Sequence, residues 1–120
     1  MSAKISLPFV AILSCNSAVA DEARIEGAKY IQSGNSYTFS VTLRHGDTGW
    51  DDYADGWRIE TVAGVVLGTR TLLHPHVNEQ PFTRSLSGIE IPEYVATVFV
   101  RASTNTGGWG KKLFEVSLER

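Results

Sequence analysis

The chain has a single cysteine, Cys15, in 120 residues. One thiol cannot close an internal disulfide, and it cannot supply a thiolate zinc site or an iron–sulfur cluster. Positive charge is scarce too: 11 Lys and Arg stand against 13 Asp and Glu, a formal net charge of −2, with no basic run. Nucleic-acid binding draws on clustered cations that neutralise phosphates, so that partner class is excluded. No apolar stretch approaches the roughly 20 residues that cross a bilayer as a helix, so no transmembrane segment is expected. The sequence also lacks a Gly-x-Ser-x-Gly elbow, an HExxH helix and a phosphate-binding glycine loop. Without such motifs there is no recognisable nucleophile, base and orienting group, and the expectation is a protein that is not an enzyme.

What is present begins with an address. Met1 to Lys4 is weakly positive, Ile5 to Leu13 is mostly apolar, and Ser14 to Ala20 is small and polar, ending in Ala18-Val19-Ala20. These three parts predict a secretory signal peptide over residues 1–20 and a mature domain over residues 21–120. Cleavage after Ala20 leaves a periplasmic or secreted domain without cysteine. A second route competes. Ile12-Leu13-Ser14-Cys15 resembles a bacterial lipobox, which implies lipidation of Cys15 and a tether from Asn16 to about Glu22.

The domain itself alternates with period two. Tyr37, Phe39, Val41 and Leu43 interleave with Thr38, Ser40, Thr42 and Arg44, giving one apolar and one wet face. Phe114, Val116 and Leu118 alternate with Glu115, Ser117 and Glu119, and Tyr94, Ala96, Val98, Val100 and Ala102 form a further inward row. Strands are also predicted over 57–61 and 65–73, joined by a hairpin at Ala63-Gly64. The two others are 23–31, with a bulge at Gly27, and 82–89. No helical period is sustained. Short strands at regular spacing predict an all-β fold, a seven-stranded antiparallel immunoglobulin-like sandwich.

Ile91-Pro92, Tyr94 and Val98-Phe99-Val100-Arg101-Ala102 resemble the approach to the sixth strand of fibronectin type III domains. Over its whole length the chain is also similar to a group of small exported bacterial proteins that carry a segment like His74 to Phe82. Neither resemblance implies an activity.

Antiparallel order places connections alternately at two ends. With strand 37–44 running upwards, residues 45–56, 75–81 and 103–110 gather at the top, as recognition loops do in antibody variable domains. These loops or their roots hold all 3 histidines and 2 of the 3 tryptophans. Trp50, Asp51, Tyr53 and Trp109 are therefore the candidate binding surface, since aromatics on Gly-hinged loops give contact area at low entropic cost. The competing reading makes both tryptophans caps on the open end of the core.

His74-Pro75-His76 could turn both imidazoles to one side of an extended segment. With His45 and Glu79 they form a candidate copper or zinc site, and the bland alternative has them bonding loop backbone or nearby carboxylates. Asp47 to Asp55 invites a calcium reading, although its spacing departs from an EF-hand loop. Arg58, Arg70, Arg84 and Glu60 are expected to form an exposed ion-pair ladder on the sheet face.

Three functions follow from these readings. The first is an exported, non-catalytic binding or accessory domain that meets an unknown protein or small ligand of the cell envelope through its top loops. The second is a periplasmic copper- or zinc-binding protein. The third is a structural module of an envelope assembly, pairing through an edge strand.

Overall fold

The computed structural model describes residues 21–120, and the expected signal peptide and the lipobox at Cys15 lie outside the described residues. The alternating segments fold as strands β1 (Arg24–Ser33), β2 (Ser36–Arg44), β3 (Ala54–Thr61), β4 (Val66–Thr71), β5 (Phe82–Glu90), β6 (Thr97–Thr104), β7 (Gly108–Trp109) and β8 (Phe114–Ser117). All pairings are antiparallel. One sheet has the order β1-β2-β5; the other runs β4-β3-β6, with β7 and β8 both paired to β6. The class is the expected one, an all-β sandwich-like arrangement of two sheets. The strand beyond the seven expected is the short β7, which lies inside a segment read as loop. Among the described residues no helix is long and apolar enough to cross a membrane.

The inner faces follow the period-two pattern. Tyr37, Phe39, Val41 and Leu43 from β2 are buried, as are Trp57 and Ile59 from β3 and Val98 and Val100 from β6. Burying each large apolar side chain contributes about 1.5–3 kcal/mol, so this two-layer core holds the fold without a cross-link. The pairing of β1 with β2 shifts register between Ile25 and Gly27, which is the bulge that the pattern at Gly27 predicts. Gly64 closes the β3–β4 hairpin at a φ of +84°, a conformation that side chains with a Cβ resist. Gly68 lets β4 approach β5 closely: a Cβ there would stand 3.2 Å from both Leu86 Cδ2 and Ile89 Cγ1.

Two expectations about faces are corrected. Tyr94 and Ala96 do not belong to the inward row; Tyr94 is 87% exposed and Ala96 is exposed too, while Val95 between them is buried. A turn closed by Val95 N–H donating to Pro92 C=O (3.0 Å) precedes β6, and the alternation takes hold only inside the strand. The ion-pair ladder is not a solvated one either. Glu60 is buried and accepts from Arg58 Nε and Arg101 Nε, each at 2.7 Å. Arg84 instead faces Glu79 and His76.

The chain direction matters most for function. β2, β4 and β6 run one way and β3, β5 and β8 the other, so residues 45–53, 72–81 and 105–113 emerge at one end. Residues 21–23, which lead into β1, arrive at that same end because β1 is antiparallel to β2.

Candidate functional site

Buried polar groups organise the loop end. His45 sits at the end of β2 with its side chain 2% exposed, and Asp47 beside it is fully enclosed. His45 Nδ1 lies 2.6 Å from Asp47 Oδ1. Its other nitrogen, Nε2, donates to the carbonyl oxygen of Asp21 at 3.0 Å, since a carbonyl can only accept. Asp47 accepts twice more, from Ala54 N–H at 3.0 Å and from His76 N–H at 2.8 Å. One buried carboxylate thereby ties the root of β2, the start of β3 and the β4–β5 connection.

Gln80 repeats the pattern, accepting from His45 N–H and donating to His76 C=O, both at 2.9 Å. Asn105 joins the remaining loop: its Nδ2 donates to Trp50 C=O at 2.9 Å, and its Oδ1 accepts from Tyr53 N–H at 2.8 Å. Three loops from different parts of the chain are thus cross-linked by hydrogen bonds. Nothing in the sequence distinguishes Gln80 or Asn105, because an amide in a polar loop reads as ordinary solvated surface.

Trp50 occupies a tight turn in which Asp52 N–H donates to Gly49 C=O at 3.2 Å. Trp50 is 65% exposed. Tyr53 meets it edge-on at a centroid distance of 5.6 Å and His74 at 6.4 Å. Asp51 is exposed beside it. The tryptophan that does fill the core is Trp57.

Trp109 belongs elsewhere. It pairs with Ser103 across the β6–β7 ladder and lies under the Arg58 guanidinium, 4.1 Å from the ring centroid. Arg58 in turn holds Glu60, and Arg101 bridges Glu60 to the carbonyl of Gly110 at 2.6 Å. The hydrogen bonds from Arg101 lower the Glu60 carboxyl below its ordinary value of 4.5, against the opposing push of burial, and those from Arg58 add to the lowering. Trp109 is therefore part of a cluster on the outer sheet face, apart from the Trp50 turn.

The same geometry gives the copper or zinc expectation no support. Both ring nitrogens of His45 are committed to oxygen partners. His76 stacks on Phe82 at 3.9 Å, and its Nε2 accepts from Arg84 Nη2 at 2.8 Å. Burial, and then the charge of Arg84, hold the His76 imidazole below its ordinary 6.5. His74 packs against Trp50, and Glu79 is mostly exposed near Arg84. Among the described residues no group of three or more His, Cys, Asp or Glu side chains is placed to hold a metal ion. The carboxylates of the calcium reading diverge as well, with Asp47 on His45 and Asp55 on Ser103.

The chain is 49% identical over 86 residues to a Halomicrobium mukohataei protein named "Putative lipoprotein". The match takes in 72% of this chain but 42% of that relative, so the chain spans less than half of the relative's length. No protein-family profile and no solved structure matches.

Proposed function

We propose that this is an exported, non-catalytic binding domain with an immunoglobulin-like sandwich, held at a membrane through a lipid on Cys15. Its working surface is the loop end, centred on Trp50, Asp51 and Tyr53. The observation that carries this reading is the pairing of an exposed aromatic turn with a polar frame, in which buried Asp47, half-buried Gln80 and exposed Asn105 fix three loops in place. A surface ordered before binding loses little conformational entropy on contact. Trp50 contributes to that surface and little to the core. The lipid is supported by Cys15 in its lipobox-like setting and by the name of the Halomicrobium relative.

Site-specific photo-crosslinking in the native envelope tests it. A benzophenone amino acid placed at position 50 is expected to capture a neighbour. The same group at position 94, exposed at the opposite end, is expected to capture none. Adducts at position 94 alone would contradict the assignment.

A further inference from the structure

The partner of the loop end can be argued from where the chain enters the domain. Asp21 C=O lies 3.0 Å from His45 Nε2, and Asp52, which closes the Trp50 turn, brings its Oδ1 to 3.7 Å from that same nitrogen. The point where the chain comes in and the exposed tryptophan turn therefore converge on one buried imidazole. From Cys15 to Asp21 a fully extended chain reaches at most about 20 Å. A lipid on Cys15 then keeps the loop end close to the bilayer, and the end that carries Val62 and Tyr94 points away.

The composition of the near end suits that position. Trp50, Leu73 and Val77 are exposed there at 65%, 67% and 51%. Tryptophan and tyrosine favour the headgroup level of a bilayer, where an apolar ring and a polar edge are both accommodated. At the same end a cleft of about 530 Å³ is lined by Arg24, Arg44 and Lys112 together with Asp21, Glu22 and His45. Arg44 is already paired with Glu26 at 2.5 Å, which leaves Arg24 and Lys112 as the cations to meet lipid phosphates, with Asp51 and Glu79 at the same end setting a limit on how much anionic lipid would help.

We propose that the bilayer surface is itself the ligand of this end, with Trp50 inserted at the headgroup level and Leu73 and Val77 beside it. This rests on the lipid-anchored reading above.

The test uses the full chain, purified with its lipid and reconstituted into phosphatidylcholine vesicles carrying brominated acyl chains. Bromine quenches only indole rings that reach the membrane. The expected result is loss of tryptophan emission in the wild type and in Trp109→Phe, and no loss in Trp50→Phe. A thermal midpoint for each variant checks that the fold is intact. The mass of the Cys15 peptide, read on the same sample, separates the two claims. A lipidated chain whose Trp50 is unquenched overturns the bilayer assignment alone, and a position-50 photo-adduct with protein would then assign the end to a protein partner. A Cys15 without lipid overturns the anchor and, with it, the orientation.

Discussion

The carboxylate of Asp47 stands 2.6 Å from the imidazole of His45, with 0% and 2% of the two side chains exposed. Around this pair the loop end is assembled, because the same carboxylate also holds the backbone of Ala54 and His76. Removing one member of a buried, hydrogen-bonded pair costs about 3–5 kcal/mol, since the survivor stays desolvated and unpaired. Asp47→Ala is expected to lose that much in urea unfolding, with a smaller midpoint change for Glu79→Ala. A cost of Asp47→Ala below about 1 kcal/mol, the scale of a surface pair, would contradict the role given to Asp47.

Glu60 makes stability depend on pH. Its folded carboxyl titrates below 4.5, chiefly because Arg101 and then Arg58 donate to the ionised form. A depressed carboxyl adds stability that is present above the unfolded value and is lost as pH falls through the folded one. Glu60→Gln should therefore flatten the acid limb of the stability profile below about pH 4.5. Equal slopes for wild type and variant in that range would place the acid sensitivity in other groups.

The lowered His76 has the opposite chemistry and the same sign. Its folded imidazole resists protonation, so the unfolded chain binds more protons as pH falls from the ordinary 6.5. Stability linked to this group is complete above that value and declines as pH drops towards the folded value. Imidazole NMR should show His76 titrating below 6.5, and Arg84→Met should move it upward by removing the nearby charge. An unmoved titration would remove Arg84 as a cause and leave burial as the main one.

Much of this fold is legible in the sequence, and the site only partly so. Period-two runs such as Tyr37 to Leu43 mark inner faces because a sheet half in contact with a core enforces alternation. The turn glycines and the slip at Gly27 mark hairpins and a bulge for equally local reasons. The loop end could be inferred from strand direction alone. Its internal wiring could not, because a histidine reads the same whether it faces a metal, a carboxylate or a carbonyl. His45, His74 and His76 were brought to one end as expected, yet each found a different neighbour: Asp47, Trp50 and Phe82. Trp109 was separated from Trp50 by the two-residue strand β7, a pairing too short to leave a periodic trace. Glu60 looked solvated because its second arginine, Arg101, is distant in sequence and close only across the β3–β6 ladder.

The two buried and exposed tryptophans should separate in stability. Trp57→Ala removes a fully enclosed ring and is expected to cost about 3–5 kcal/mol. Trp50→Ala should change stability by no more than about 0.5 kcal/mol, as an exposed position does. A large loss from Trp50→Ala would make that ring a cap on the core and remove the main support for a binding role.

Preorganised loops should also exchange slowly. The amides of Ala54, His76 and Asn105 donate to Asp47, Asp47 and Tyr53. They should be protected in native-state hydrogen exchange, although two of them lie outside any strand. Rapid exchange of His76 and Asn105 would mean that the end is ordered only on binding.

The most direct test of the account is oxidative footprinting of the native envelope against the purified protein, read by mass at Trp50, Tyr53 and Tyr94. An occupied loop end predicts that Trp50 and Tyr53 are oxidised in the purified protein and shielded in the envelope, with Tyr94 oxidised equally in both. Equal oxidation of Trp50 in the two samples would show that the loop end meets nothing there, and the central claim would fail.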